Sequence, residues 1–192
     1  MRHFRTRSLT LTVTALAAAL LAGTGQAGAQ QEGAPGKTTI AHGTFAAYGP
    51  GQAAVTYDET LVPEGAMAGV LSVTRSHLGT ITKLGVHGLV PNRAYGAHVH
   101  TKPCGPTGEA AGPHFQHVQG PSDDPAYANP ENEIWLDFTT NAAGTGFAAS
   151  RVDWTFGERR PESVVIHDHH TSTAPGEAGS AGPRLACLNV DF

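Results

Sequence analysis

The 192-residue chain is short of charge, of aromatic side chains and of cysteine: 15% of its residues are charged, 7% are aromatic and two are cysteines. So little charge excludes a coiled coil or a bundle with charged helix faces. No stretch keeps a helical apolar period over three turns, which excludes an α-helical core. No apolar run reaches the ~18 residues of a membrane span; the run from Leu9 to Ala22 stops short of it and no later segment approaches it. What the chain has in quantity is glycine, proline and histidine, with 24, 13 and 11 copies. Glycine and proline punctuate turns. Histidine is the commonest metal ligand and the usual proton shuttle near neutral pH. The length fits one globular domain.

The first 29 residues read as a secretory signal. Arg2, Arg5 and Arg7 carry no accompanying acid, the apolar run follows, and Ala27-Gly28-Ala29 offers small residues for cleavage. Leu20-Leu21-Ala22-Gly23 is followed by Thr24 rather than cysteine, so no lipid anchor is expected. Residues 30–37 read as a flexible lead-in, and residues 38–192 are expected to form the folded domain. Without the signal the chain holds nine basic and sixteen acidic residues, a formal charge of −7. That balance argues against nucleic acid or an anionic membrane as partner. Cys104 and Cys187 both lie in the exported part, where disulfides persist; a bridge between them, or two free thiols, are the two readings.

From Thr38 onward, short alternating or apolar runs are divided by Gly, Pro and Asn. Nine candidate strands follow: 38–48, 53–57, 67–74, 79–86, 94–101, 134–140, 146–155, 163–167 and 185–192. Their spacing predicts an all-β sandwich or barrel. Two segments break the rhythm, Pro103 to Pro130 and Asp168 to Pro183. Loops this long inside a compact domain usually carry function.

Histidine placement points to the same regions. In His98-Val99-His100 both imidazoles lie on one face of a strand and can share a metal ion. A cupin-like site would need a nearby glutamate, a metallo-β-lactamase-like site a following Asp-His, and an amidohydrolase barrel far more chain. None is present. His42, His77 and His87 have no partners in sequence and are expected to be at the surface or half-buried. His169 and His170 are expected in an exposed loop.

Ala97-His98-Val99-His100, Cys104, Ala111-Gly112-Pro113-His114-Phe115, Val164-Val165-Ile166-His167 and Gly182-Pro183-Arg184-Leu185-Ala186-Cys187 follow one another in this order. Together they resemble the copper–zinc superoxide dismutase family, from about Leu84 to Val190. The resemblance implies a Greek-key barrel of about eight antiparallel strands with two long functional loops. It further implies copper held by His98, His100, His114 and His167. Superoxide would be the substrate, attracted by Arg184, with His114 supplying a proton. The zinc half departs from the pattern: after His114 come only His117 and then Asn129-Pro130-Glu131-Asn132-Glu133, which resembles the copper-only members. Zinc is therefore expected to be absent, or held at a non-standard site drawing on His114 and His117 with Glu131, Glu133, His169 or His170. Without zinc, Glu133 is the expected partner of His114. The alternative function is a copper-binding or copper-buffering protein on the same fold with little turnover. No association surface is legible in the sequence, and a monomer is compatible with it.

Overall fold

The computed structural model describes residues 36–192; the expected signal and all of the lead-in but Gly36 and Lys37 lie outside the described residues. The elements are β1 (Thr38–Ala46), β2 (Ala54–Thr56), β3 (Met67–Arg75), β4 (Gly79–His87), β5 (Ala94–His100), β6 (Phe138–Thr139), β7 (Gly146–Val152), β8 (Ser163–His167) and β9 (Arg184–Asn189), plus one 3₁₀ turn at Gly108–Ala111. They form one sheet in the order β6-β5-β8-β9-β2-β1-β3-β4-β7. Sequence neighbours β4 and β5 lie far apart in that order, as do β6 and β7, so the chain crosses the barrel ends in Greek-key fashion.

The sheet curls until β6 and β7 nearly meet. Closure depends on Gly146: a Cβ there would sit 2.5 Å from Cδ2 of Phe138. Phe138 in turn stacks on Tyr95, 5.2 Å between ring centres, and the Tyr95 hydroxyl donates to the Leu61 carbonyl at 2.7 Å. Alternation sends Phe45, Leu84, Ile166 and Leu188 into the same core. At roughly 1.5–3 kcal/mol for each large apolar side chain, this burial is the main favourable contribution to folding.

All nine candidate runs contain a strand, with two adjustments and one surface feature to add. β1 and β2 pair in parallel, Phe45 opposite Ala54, because β2 is recruited by β9 and Gly43 leaves room for it: a Cβ on Gly43 would lie 2.7 Å from that of Ala54. The run 134–140 is a regular strand only at Phe138–Thr139. Before that, the Asp137 carboxylate accepts from the Ala97 N–H at 3.1 Å and takes a donor that a ladder would use. Finally, the outer face of β1, β3, β4 and β7 exposes Ile40, Leu71 and Phe147 around the bare backbone of Gly69 and Gly85, an apolar surface the linear sequence did not reveal.

A disulfide joins Cys104 to Cys187, across 83 residues. It ties the first long loop to the middle of β9, and the Asn189 side chain accepts from the Cys104 N–H at 2.7 Å beside it. The first loop thereby becomes one wall of the site.

Candidate metal centre

β5 is buried on both faces. Tyr95, Ala97 and Val99 point into the barrel core. Gly96, His98 and His100 alternate with them and point outward, where the two long loops cover them. Gly96 lets the second loop lie directly on the strand, since a Cβ there would be 2.4 Å from the His169 carbonyl oxygen. β8 runs antiparallel beside β5 and places His167 opposite Gly96. His114 arrives from the first loop through an isolated bridge to His100.

The result is four imidazoles with one potential ligand nitrogen each, all within 4.8 Å of one another. Among the described residues no other His, Cys, Asp and Glu cluster of three or more forms such a group. His98 and His100 are fully buried, and His167 nearly so. Burial, reinforced by neighbouring positive charge, drives His98 and His100 well below the usual imidazole range. Burial likewise pushes His167 down to about 3, against the opposing effect of its bond to Gly182. These rings are neutral, and neutral imidazole is the form that binds metal.

Each ring is oriented by a bond on its far side. His100 Nδ1–H donates to the Gly112 carbonyl at 2.9 Å, and His167 Nδ1–H to the Gly182 carbonyl at 3.2 Å. His114 Nδ1–H donates to Glu133 Oε2 at 2.7 Å, the partner expected from the sequence. His98 Nε2 lies 2.6 Å from Thr171 Oγ1, and the Thr171 hydroxyl proton goes to Asp137 Oδ1 at 2.7 Å. The threonine oxygen therefore accepts from His98 Nε2–H. That leaves His98 Nδ1 buried with no protein partner. His100 Nε2 and His167 Nε2 stand 3.3 Å apart, with neither proton assigned to the gap once both Nδ1 atoms donate to carbonyls. Lone pairs thus converge on one point and repel unless a cation lies among them. The donor set fits a metal that prefers imidazole, copper among them.

Glu133 is 1% exposed and fully engaged. Besides His114, it accepts from Gln116 Nε2 at 3.0 Å and from Trp135 Nε1 at 2.8 Å. The far nitrogen of His114 is therefore held by a carboxylate that has spent its oxygens on three N–H donors. The structure does not bring His117 to the cluster: its exposed ring stacks flat on Trp154, 4.8 Å between centres. Glu131 is exposed. His169 and His170 sit exposed in the second loop, with His170 Nε2–H donating to the Phe138 carbonyl at 3.0 Å. His42, His77 and His87 are exposed, as expected.

Arg184 begins β9 opposite His167, where a bulge breaks the register between Ile166 and His167. A bulge re-aims side chains, and Arg184 here lines a cleft of about 320 Å³ with His114, Ser122, Asp123, Glu177 and Ser180. Its NH1 donates to the Gly108 carbonyl at 2.9 Å. The bare Cα of Gly108 makes that approach possible, since a Cβ would fall 2.6 Å from that of Arg184. The guanidinium is half-buried, which lowers its pKa from the usual range, and arginine stays charged even so.

Sequence reasoning missed Asp137 and Thr171. A signal existed for the first: Glu133, Trp135 and Asp137 alternate with the core residues Ile134, Leu136 and Phe138, so the acids share the face turned to the site. Thr171 had none, because its position depends on how the second loop folds.

The fold and the cluster define a class: a Greek-key β-barrel with four convergent imidazoles roofed by two long loops. Solved structures agree with it. A Cu/Zn superoxide dismutase from Brucella abortus matches with a TM-score of 0.54 at 20% identity, over 82% of this chain and 100% of that one. A SOD-like protein from Bacillus subtilis matches with a TM-score of 0.51 at 13% identity, over 81% and 99%. The chain therefore shares the fold of the copper–zinc superoxide dismutases. No family model matches the sequence, and no curated protein does so.

Proposed function

We propose that the protein is an exported, copper-dependent superoxide dismutase that works with a single metal. The observation that carries this reading is the set of four convergent imidazole nitrogens whose outward partners leave their lone pairs turned inward. Copper bound there would supply one-electron cycling between its two oxidation states, taking an electron from one superoxide and giving it to another. The protein's part is binding, steering and proton supply. Arg184 offers a fixed positive charge in the cleft that His114 also lines, and it attracts a small anion to a chain that is otherwise acidic. His114 is the least buried of the four rings, and Glu133 holds its orientation, so it is the ring placed to pass a proton to reduced product. The Glu133 bond takes the place a second metal would need on His114 Nδ1, which supports function without zinc. The Cys104–Cys187 bridge supports an oxidising, extracytoplasmic location.

One observation favours the copper-buffering alternative. Asp123 and Glu177 share the cleft with Arg184, and two carboxylates at a mouth attract cations as readily as one arginine attracts anions. The deciding experiment is the dismutation rate of protein carrying one equivalent of copper and no zinc. A rate approaching the diffusion ceiling, on the order of 10⁸–10⁹ M⁻¹s⁻¹, is expected. Stoichiometric copper with slow turnover, unchanged by added zinc, would overturn the enzyme reading in favour of buffering.

A further inference from the structure

The outer face of β1, β3, β4 and β7 takes no part in the metal centre, which is built from β5, β8, β9 and the two long loops. The register of these strands sets His42, Gly69, Gly85 and Phe147 in one outward row, and Ile40, Leu71 and Lys83 in the next. Ile40 is 77% exposed and Phe147 65%, the two most exposed large apolar side chains among the described residues. Between them the backbone is bare. A Cβ on Gly85 would have no neighbour within 4 Å, and one on Gly69 none closer than 3.8 Å. Phe147 therefore projects beside two grooves of about 360 and 410 Å³, both floored by Gly69 and Gly85. The fixed charges pointing out of this face are Lys83 and Arg151. None of its outward side chains is acidic, in a chain with sixteen acidic residues.

We propose that this face docks a second copy of the chain, giving a two-fold dimer that packs sheet against sheet. A two-fold interface sets the same patch of both copies together, so the patch has to complement itself. This one does: it carries a projection, Phe147, and the recess over Gly69 and Gly85 that can receive the same ring from a partner. Charge favours the same occupant. Two copies of an acidic chain repel wherever carboxylates meet, and here none do. Area is sufficient for a reversible contact. Four strands about 4.8 Å apart, paired over seven residues at about 3.3 Å each, have a flat footprint of about 450 Å². The relief of Ile40 and Phe147 raises the accessible area above that, to the ~500 Å² per partner where specific interfaces begin. An interface of that size predicts a dimer with a Kd on the order of 10 μM. The inference is independent of whether the four imidazoles hold copper.

Sedimentation equilibrium from about 1 μM to 1 mM, a range that brackets this Kd, tests the proposal. The parent should pass from monomer to dimer and stop there. Two variants then read the fit. Phe147→Lys removes the projection and adds a charge to a face that already carries Lys83 and Arg151, and should leave a monomer throughout. Gly85→Ile fills the recess with a residue that strands favour, at a position where a Cβ meets nothing in the monomer. It should weaken the dimer ten-fold or more while leaving the urea midpoint of the monomer no lower than the parent's. The second variant separates docking from mere stickiness, because it enlarges the apolar surface. Stronger association of Gly85→Ile would overturn the proposal, as would a dimer that survives Phe147→Lys unchanged. A parent that stays monomeric to about 1 mM would overturn it too; binding of that monomer to anionic lipid vesicles, lost in Gly85→Ile or Phe147→Lys, would assign the face to a membrane surface instead.

Discussion

At the scale of single residues, what distinguishes this site is how many of its buried groups have their protons assigned by neighbours. The consequence for pH follows from the three depressed imidazoles. In the folded, metal-free protein His98, His100 and His167 stay neutral, His167 down to about pH 3, while in the unfolded chain each protonates near 6.5. Between those limits the unfolded state binds more protons, so stability rises with pH across the window and is lost as pH falls from about 6.5 toward 3. Urea midpoints of the metal-free protein measured at pH 7.5 and 5 should differ in that direction; equal midpoints would mean the rings are already protonated in the fold. Arg184 makes the complementary prediction. Arg184→Ala should lower kcat/KM for superoxide by about ten-fold or more and flatten its dependence on ionic strength, as expected for a steering charge. Copper affinity should stay nearly constant, because the guanidinium bonds to Gly108 and not to a ligand. An equal rate for variant and parent removes Arg184 from its role.

Among the elements, the strands do the positioning and the loops do the selecting. β5 illustrates why so much was legible beforehand. Its alternation separates the apolar Tyr95, Ala97 and Val99 from His98 and His100, since successive strand side chains point to opposite faces even where both faces are buried. The bounds of β8 agree to the residue for a different reason: Pro161 precedes a short run that is buried throughout and ends at His167 before Asp168. The 134–140 run was harder, since its pattern is that of a strand while the Asp137 side chain takes a backbone donor from β5. Patterning records which face a residue occupies and not which hydrogen bond wins. His117 was suggested by sequence proximity to His114, whereas its ring lies flat on Trp154. The loop over β5 yields a prediction at this scale. Gly96→Ala would push a methyl group into the His169 carbonyl and the Ala181 methyl. Because the first is backbone, the loop has to lift. The cost should be about 1–3 kcal/mol, as for overpacked cores, with faster copper release from the loaded protein. Unfolding and metal-release rates measured together would separate this from a purely global loss, which would leave release unchanged under native conditions.

For the whole molecule, the disulfide decides whether barrel and site behave as one unit. Cys187 sits mid-strand, opposite Val55 on one side and Val165 on the other, so the bridge anchors the first loop to the centre of the sheet. That loop carries His114, the Gly112 carbonyl that orients His100 and the Gly108 carbonyl that holds Arg184. Closing a span of 83 residues restricts the unfolded chain by about 4–5 kcal/mol on the loop-entropy account. Non-covalent ties accompany the bridge, from Asn189 to the Cys104 N–H and from the Tyr57 hydroxyl to the Gly105 carbonyl at 3.1 Å. Each is a hydrogen bond of about 1 kcal/mol net, too little to replace it. The Cys104→Ala, Cys187→Ala double variant should therefore unfold at a much lower denaturant concentration and also bind copper more weakly, since two ring orientations depend on the released loop. Stability lost with copper affinity intact would mean that the loop is held in place by Asn189 and Tyr57 in the folded state. The bridge would then act on the unfolded chain alone.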